Sequence, residues 1–343
     1  MESHQRNAAA DGTSGAAGGS TMQAIVQDTY GSADVLRLAR ISRPEPAKGE
    51  VLLRVHAAGL DRGTWHVMTG RPYLVRLAIG LRGPRNPVPG RDVAGTVVAV
   101  GPAVTRFSAG DEVLGIAPGS FAEYAVAPED KLVRKPGSVT FEQAAAVSIS
   151  GITALRAVCD VGGVRQGQKV LITGASGGVG SYAVQLAKAF GAEVTGVCGT
   201  AKLGMVRSLG ADHVIDYTRD DFADGTHRYD LIVDIAGNPG LSRLRRALTS
   251  TGTAVLTGGE EGGRLSGGMD RQVRAMILSR FVGQRLTGFI PAERAADIER
   301  LTELIEQGMV TPSIDRTYSL DRAPEAMRYL VAGKARGKVV ITV

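Results

Sequence analysis

The chain has 343 residues, of which 43% are hydrophobic and 22% are charged, and this length predicts two domains that each bury a core. Its two cysteines, Cys159 and Cys198, are too few for a disulfide framework or a four-cysteine zinc site. The net charge is +6, but the basic residues are scattered and form no recognition motif, so we expect no nucleic-acid binding.

The first 21 residues are mostly Ala, Gly, Ser and Thr, with no Val, Leu, Ile or aromatic residue. We predict a disordered extension, because such a segment cannot bury enough apolar surface to offset its ordering entropy. It also lacks the apolar stretch of a signal peptide. The uncharged run 170–187 approaches the length of a membrane span, but its glycines and serines favour a strand, a turn and a helix. We therefore expect a cytoplasmic protein without membrane contact.

Short strand-like segments separated by glycine and proline fill residues 22–148. They include predicted strands over 22–27, 51–58, 94–100 and 112–115. From residue 149 onward, strands alternate with helices, which is typical of βαβ units and a parallel sheet. The predicted strands there are 169–173, 193–198, 213–215, 230–235, 253–257, 285–290 and 338–343. The predicted helices are 181–190, 202–209, 241–248 and 292–307. The sequence therefore predicts an α/β protein.

A glycine-rich loop follows the strand that ends at Thr173 and precedes a helix. Glycines let the backbone turn sharply and approach a pyrophosphate, while the helix N-terminus offers free N–H groups to the anion. A second strand about 20 residues later completes the pattern of a dinucleotide-binding Rossmann domain. We expect the pyrophosphate to contact Ser176, Gly177, Gly178, Val179 and Gly180. The alternative is a glycine-rich turn without function.

The end of the second strand distinguishes the two nicotinamide cofactors, because NAD-binding proteins usually carry a carboxylate there. Residues 198–202 contain none, and Cys198 stands where that carboxylate is expected. Thr200 could donate a hydrogen bond to a 2′-phosphate, and Lys202 could supply a positive charge. We therefore favour NADPH over NADH. The alternative is that Lys202 is a solvated helix residue.

Together these motifs resemble the medium-chain dehydrogenase/reductase superfamily, and specifically its zinc-free NADPH quinone oxidoreductase and enone reductase branch. The resemblance extends from Met22 to Val343. It rests on the glycine loop and on the segments 89–97, 110–113, 151–155, 209–217 and 337–340. It implies a GroES-like, mostly-β catalytic domain over 22–148 and 289–343, and a doubly wound Rossmann domain over 149–288. It also implies a homodimer that pairs through the strand at 285–290.

Zinc-dependent members of the superfamily differ from this chain at the metal ligands. They place Cys, Gly-His-Glu and a third ligand where this chain has Asp61, Gly90-Arg91-Asp92 and Ile149. Tetrahedral zinc needs three or four N, S or O ligands, so we predict no metal. Without a Lewis acid, simple alcohol oxidation is disfavoured. The favoured substrates are quinones and α,β-unsaturated carbonyls, which conjugation activates.

The resemblance also places the functional residues. The substrate pocket is expected around Asp61, Trp65, His66 and Tyr73, where Trp65 could stack on a ring and His66 or Tyr73 could protonate the carbonyl oxygen. Alternatively, Trp65 is a core residue, His66 a surface residue and Asp61 the cap of a helix over 62–69. Further cofactor contacts are expected at Thr153, Tyr217, Ala236, Asn238, Thr257, Gly258 and Lys338.

Two other functions remain open at this stage. One is NAD(P)-dependent alcohol or aldehyde oxidoreduction that survives chelation. The other is a cofactor-binding sensor or interaction protein without turnover. The candidate proton donors argue against a pure sensor, since binding alone requires none.

Overall fold

The structure is a computed structural model that describes residues 20–258, 263, 266–290 and 292–343. Residues 1–19 of the predicted extension therefore lie outside the described residues. The strands are β1 Thr21–Val26, β2 Arg37–Ser42, β3 Glu50–Leu60, β4 Asp92–Val100, β5 Glu112–Ile116, β6 Tyr124–Pro128, β7 Leu132–Arg134, β8 Lys169–Thr173, β9 Glu193–Cys198, β10 His213–Asp216, β11 Tyr229–Asp234, β12 Leu248–Leu256, β13 Arg285–Gly288, β14 Ile314–Ser319 and β15 Lys338–Thr342.

The α-helices lie between these strands in chain order. They are α1 Arg62–Thr69, α2 Arg76–Ile79, α3 Phe141–Ala145, α4 Ser148–Leu155, α5 Gly178–Ala189, α6 Leu203–Ser208, α7 Leu241–Ala247, α8 Met269–Leu278, α9 Ala295–Glu306 and α10 Ala323–Val331. A π-helical turn over Arg156–Asp160 continues α4. No helix of the described ranges is long and apolar enough to cross a membrane.

A seven-stranded mixed sheet brings the N-terminal strands together with the C-terminal ones, in the order β14-β15-β3-β4-β5-β7, with β6 also paired to β3. The long strand β3 is its centre, because its apolar residues are buried between the neighbouring strands. β15 runs antiparallel to the end of β3 and pairs Val339 with Leu60. The C-terminus therefore closes the mostly-β part of the fold.

The second sheet has six parallel strands in the order β10-β9-β8-β11-β12-β13. Its central strands are apolar along their length, as in β8 with Val170, Leu171 and Ile172, because helices cover both faces. The strand order reverses between β8 and β11, and ligands bind at such a reversal. The mixed sheet and this doubly wound sheet confirm the predicted α/β fold class.

The predicted bounds hold best for β8 and β9, which begin and end where predicted. β12 begins five residues earlier than predicted because Leu248 already pairs with Tyr229 of β11, ahead of a register shift after which Leu231 pairs with Thr253. β13 ends at Gly288 rather than at residue 290, and Ile290 is exposed. The apolar run 170–187 is a strand, a loop and a helix, as predicted. The domain bounds stay a prediction.

Candidate active site

The glycine loop lies between β8 and α5, at the carboxyl end of the parallel sheet. Gly174 has a φ of +64°, in the left-handed region where a side chain is strained. A Cβ on Gly180 would lie 2.1 Å from the carbonyl oxygen of Gly174, so only glycine lets α5 pack this closely on the strand end. Gly177 caps α5 without a side chain, and the N-terminus of the helix faces the loop. These features fit the pyrophosphate of a dinucleotide.

A cleft of about 220 Å³ opens at this loop, and four of the five predicted pyrophosphate contacts line it. Its other wall comes from the C-terminal segment, where the Gly337 amide donates to the carbonyl oxygen of Ser176 at 2.8 Å. The lining residues are Arg62, Gly174, Ser176, Gly177, Gly178, Val179, Lys202, Ile235, Ala236, Leu330, Gly333, Ala335 and Gly337. Arg62, at the start of α1, is a cation that the sequence reasoning missed. It was adjacent to the candidate Asp61, which is the signal that could have found it.

Lys338, a predicted cofactor contact, has a side chain that is only 1% exposed and an ammonium that is already hydrogen-bonded within the protein, and its contact with a cofactor stays a prediction. It donates to Asp92 Oδ2 at 2.9 Å and to Ser150 Oγ at 3.2 Å. Its Cδ lies 3.1 Å from the Cβ that Gly178 lacks. Lys338 therefore connects the glycine loop to the mostly-β part of the fold.

Asp92 is the fully buried partner of that lysine. Its Oδ1 accepts the Ile149 amide at 2.7 Å, which fixes the start of α4. Burial raises the pKa of Asp92 to about 6, and the neighbouring Asp61 adds to the rise, while Lys338 opposes it. The buried pair lies within the mixed sheet, and its hydrogen bonds with Ile149 and Ser150 connect that sheet to α4.

The ribose end of the cleft differs from the sequence prediction in one important respect. The prediction found no carboxylate there, yet Asp216 at the end of β10 accepts a short hydrogen bond from the Thr200 hydroxyl. Hydrogen bonds from Thr200 and Thr218 lower the pKa of Asp216, so the carboxylate is ionised at neutral pH. The carboxylate was missed because it comes from the adjacent strand, where Asp216 pairs with Cys198. Thr200 is thereby prevented from donating to a phosphate.

The other predicted residues at the ribose end have different environments. Lys202 lines the cleft and donates to the carbonyl oxygens of Gly333 and Ala335 at 2.7 and 2.8 Å. Burial lowers the pKa of Lys202, and the nearby Arg336 adds to this effect. Tyr217 is 64% exposed, with its ring beside Gly199. Cys198 is buried in the hydrophobic core, and its contact with a cofactor stays a prediction.

The nicotinamide end contains a buried ionic cluster that the sequence reasoning missed. Asp234, at the end of β11, accepts hydrogen bonds from Thr173 Oγ1 at 3.0 Å and from the guanidinium of Arg271. Arg271 reaches it from α8 and also donates to Asn238 Oδ1 at 2.6 Å. Burial raises the pKa of Asp234, and Arg271 opposes that rise. The cluster holds the loop after β11 in place.

Several predicted cofactor contacts lie on this loop, next to it or on α4. Asn238 has a φ of +39°, and its side-chain oxygen is taken by the arginine. Thr257 donates to the Asp234 carbonyl oxygen at 3.0 Å, and a Cβ on Gly258 would meet the Ile235 carbonyl oxygen at 1.9 Å. Thr153 donates its hydroxyl back to Ile149 at 2.7 Å. Their contacts with a cofactor stay predictions.

The four predicted catalytic residues lie on α1 and the turn after it. Asp61 caps α1, since its Oδ1 accepts the Thr64 amide at 2.8 Å, while its buried Oδ2 has no hydrogen-bond partner among the described residues. Trp65 packs against the hydrophobic core of the mixed sheet. His66 Nδ1 donates to the Arg71 carbonyl oxygen at 2.6 Å, and Tyr73 is exposed with Arg76 over its ring. Asp61 is therefore the cap of α1, and Trp65 packs against the core, as the alternative interpretation of these residues has it.

Comparison with known proteins now gives the family. Residues 47–137 match the alcohol dehydrogenase GroES-like domain, and residues 209–341 match the zinc-binding dehydrogenase domain. A chloroplast envelope quinone oxidoreductase homolog from Arabidopsis thaliana is 33% identical, across 94% of this chain and 99% of the relative. The chain belongs to the medium-chain dehydrogenase/reductase superfamily. Within this superfamily it lies in the quinone oxidoreductase-like branch, and it is an NAD(P)H-dependent oxidoreductase.

Other members of the superfamily agree over most of their length. The 2-methylene-furan-3-one reductase of Solanum lycopersicum is 32% identical, across 94% of this chain and 79% of the relative. The quinone oxidoreductase structure from Coxiella burnetii matches with a TM-score of 0.83 and 29% identity, over 94% of this chain and all of that one. A mycobacterial structure in complex with NADPH matches with a TM-score of 0.80 and 27% identity, over 94% and 100%.

The name of the matched family raises the question of zinc, which the residues of this medium-chain dehydrogenase/reductase do not fit. Asp61 is committed to capping α1, Arg91 is a cation, and Ile149 has no ligand atom. Nowhere in the described ranges do three or more His, Cys, Asp or Glu side chains form a group that could hold a metal. Asp61 and Asp92 supply only two carboxylates, and Asp92 is already bonded to Lys338, so they do not make a tetrahedral zinc site.

Proposed function

We propose that this enzyme uses NADPH to reduce quinones or α,β-unsaturated carbonyls without a metal. The observation that carries the proposal is the cleft at the glycine loop, which has Lys202 and Arg62 in its walls and no zinc-ligand set beside it among the residues that the structure describes. The names of the two reductase relatives support the substrate class. A bound reduced nicotinamide would supply the hydride, and the protein orients the reactants.

The chain's own residues would bind the cofactor in three places. The amides at the start of α5 and the guanidinium of Arg62 would hold the pyrophosphate from opposite walls of the cleft. Lys202 would contact the 2′-phosphate. Ala236 would border the path toward the nicotinamide, where the loop after β11 is fixed by the Asp234–Arg271 pair. His66 and Tyr73 stay the candidate groups for donating a proton to the carbonyl oxygen.

The test of this function is a substrate panel. Purified protein is mixed with NADPH and with quinones, enones, and saturated alcohols with NADP⁺, while nicotinamide absorbance is followed. We expect turnover of the conjugated carbonyls, unchanged by a chelator. Binding of NADPH without turnover of any quinone or enone would contradict the proposal and favour a sensor. Turnover of saturated alcohols alone would favour the alcohol oxidoreductase alternative.

Cofactor preference gives a separate prediction for Lys202→Ala. Removing the ammonium should raise the Kd for NADPH by roughly tenfold or more, because a charge-assisted hydrogen bond is worth about 1–3 kcal/mol. The Kd for NADH should change little, since NADH has no 2′-phosphate. Titration of the protein's intrinsic fluorescence with each cofactor measures both values. Equal losses for NADPH and NADH would show that Lys202 only supports the C-terminal loop.

Asp216→Asn tests the opposite change, because it removes a negative charge and is measured in the same titrations. The ionised carboxylate of Asp216 accepts a hydrogen bond from the hydroxyl of Thr200, a residue predicted to bind the 2′-phosphate, so Asp216→Asn should lower the Kd for NADPH while leaving the Kd for NADH nearly unchanged. If the wild-type protein binds NADH more tightly and Asp216→Asn gains affinity for NADPH, Asp216 determines the cofactor preference. The prediction that the wild-type protein prefers NADPH would then be wrong.

We also propose a homodimer. β13 is the edge strand of the parallel sheet, and within the described ranges only β12 pairs with it. Apolar side chains on the neighbouring α8 and beyond are exposed, among them Val273, Met276, Phe281 and Ile290. Pairing of two such edges would cover both the open hydrogen bonds and the apolar surface. Sedimentation equilibrium should give twice the chain mass of 35.8 kDa, and a single chain mass would contradict the dimer.

A further inference from the structure

A second cavity, of about 200 Å³, lies beside the cofactor cleft. Helix α1 borders both spaces, because Arg62 lines the cleft while Thr64 and Val67 line the cavity. The rest of the cavity wall is mostly apolar and includes Ile79 and Val88. A cavity of about 150 Å³ is enough for a benzene ring, so this one has room for a quinone ring or a small enone.

Arg91 is a cation in the wall of this apolar cavity. Its Nη2 donates to both carboxylate oxygens of Glu293 at 2.5 Å, and its Nε and Nη1 donate to no described residue. The next residue, Asp92, bonds Lys338, which packs against Gly178 of the glycine loop. These contacts connect the strand that follows Arg91 to the glycine loop, and helix α1 borders both the cleft and the cavity that Arg91 lines. Arg91 also stands where zinc-dependent relatives carry a metal-binding histidine.

We propose that Arg91 binds the carbonyl oxygen of the substrate and stabilises the negative charge that develops on it. The inference rests on the proposed function. When the β-carbon of an enone gains a hydride, the π electrons move to the carbonyl oxygen and form an enolate, and a proton from water then completes the α-carbon. The reaction oxidises the reduced nicotinamide by two electrons. Arg91 keeps its own proton throughout, because guanidinium does not deprotonate in proteins.

Glu293 has a positioning role in this proposal. Its carboxylate holds one edge of the guanidinium and leaves the other N–H groups for the substrate oxygen. The same pair also connects the mixed sheet to the segment before α9, so a purely structural role must be distinguished. Arg106 provides the matched control, because it makes a similar long-range ion pair with Glu299 at 2.8 Å.

The experiment compares Arg91→Gln, Arg91→Lys, Glu293→Gln and Arg106→Gln in the full chain. We expect Arg91→Gln to lower kcat roughly 100- to 1,000-fold, the range for losing one donor to a developing oxyanion. Arg91→Lys should retain most of the activity. Glu293→Gln should lose less than Arg91→Gln, because the amide oxygen still accepts a hydrogen bond from the guanidinium, and Arg106→Gln should stay close to wild type. Equal losses in Arg91→Gln and Glu293→Gln, or in Arg91→Gln and Arg106→Gln, would overturn the proposal in favour of a structural tie.

A binding measurement makes the result independent of turnover. The ligand is 4-nitrophenol, which is coloured only as the phenolate and carries its charge on an oxygen attached to a ring. Wild type, Arg91→Lys and Glu293→Gln should bind the phenolate more tightly than the phenol, and Arg91→Gln should lose this preference. If wild type shows no preference for the phenolate, the inference is wrong even when quinones are reduced. If it shows the preference without any turnover, only the proposed function fails. Should Arg91→Gln not fold, a loss of the preference in Arg91→Lys overturns the inference.

Discussion

Lys338→Met is expected to lower the free energy of unfolding by about 3–5 kcal/mol, the usual cost of leaving one partner of a buried ion pair alone. Lys338 and Asp92 are both essentially without solvent exposure, and their charged atoms are 2.9 Å apart. Methionine fills the volume of the lysine stem but leaves the Asp92 carboxylate without its counter-charge. Urea unfolding followed by circular dichroism measures the loss.

Two further variants identify the cause. Adding Asp92→Asn to Lys338→Met should restore much of the stability, because an amide still accepts the Ile149 amide and carries no charge. Lys188→Met breaks an ion pair of similar length with Asp212, but that pair is about one-third exposed and should cost far less. Similar losses in both lysine variants, or no recovery in the double variant, would show that packing of the lysine stem dominates instead.

The pH dependence of the defect follows from the raised pKa of Asp92. A carboxyl group whose pKa is higher in the folded state, here about 6 against an ordinary 3.8, favours folding below its unfolded pKa. That contribution is lost as the pH rises through about 4 to 6. Without Lys338 the pKa of Asp92 rises further, since the ammonium lowers it. The difference in free energy of unfolding between Lys338→Met and wild type should therefore become smaller as the pH falls from 8 to 5.

The sequence was sufficient where local chemistry decides the structure. β8 is a short apolar run that ends at a glycine with a left-handed φ, so both its bounds and the following loop could be read directly. Asp61 has the side chain and spacing of a helix cap, and it bonds the amide three residues later. The cleft at the glycine loop was predictable for the same reason.

The residues that sequence reasoning missed depend on long-range packing. Asp216 reaches Thr200 only because β10 lies beside β9 in a particular register. Arg91 and Glu293 are 202 residues apart in the chain. Arg271 comes from α8 and neutralises a carboxylate at the end of β11. No periodicity or motif predicts such pairings, so the positions of the charged side chains near the site could be known only from the structure.

The same contrast explains why the surroundings of Lys338 could not be predicted. Lys338 follows a glycine near the cleft, and a lysine there is a reasonable partner for a phosphate. In the fold, however, β15 lies against the end of β3, and its first side chain points into the buried space next to Asp92. An exposed cation and a buried one cannot be distinguished by residue type.

Gly180→Ala should both destabilise the protein and weaken cofactor binding. The added methyl carbon would lie 2.1 Å from the Gly174 carbonyl oxygen and 2.7 Å from the Ala175 Cα, and neither backbone atom can move without shifting the loop. We expect a loss of about 1–3 kcal/mol in the free energy of unfolding, the cost of overpacking. The Kd for NADPH should rise at least tenfold, because α5 can no longer present its N-terminus at the same distance from β8.

Gly204→Ala is the matched control, since Gly204 is also a glycine within a helix. It lies on the exposed side of α6, and an added Cβ there would meet no atom within 4 Å. Alanine is the better helix former, so this variant should gain about 0.5–1 kcal/mol and bind NADPH as wild type does. If the two variants behave alike, close packing at the glycine loop does not control cofactor binding. If only Gly180→Ala loses affinity, Gly180 acts by allowing contact between helix and strand, and the pyrophosphate site depends on that contact.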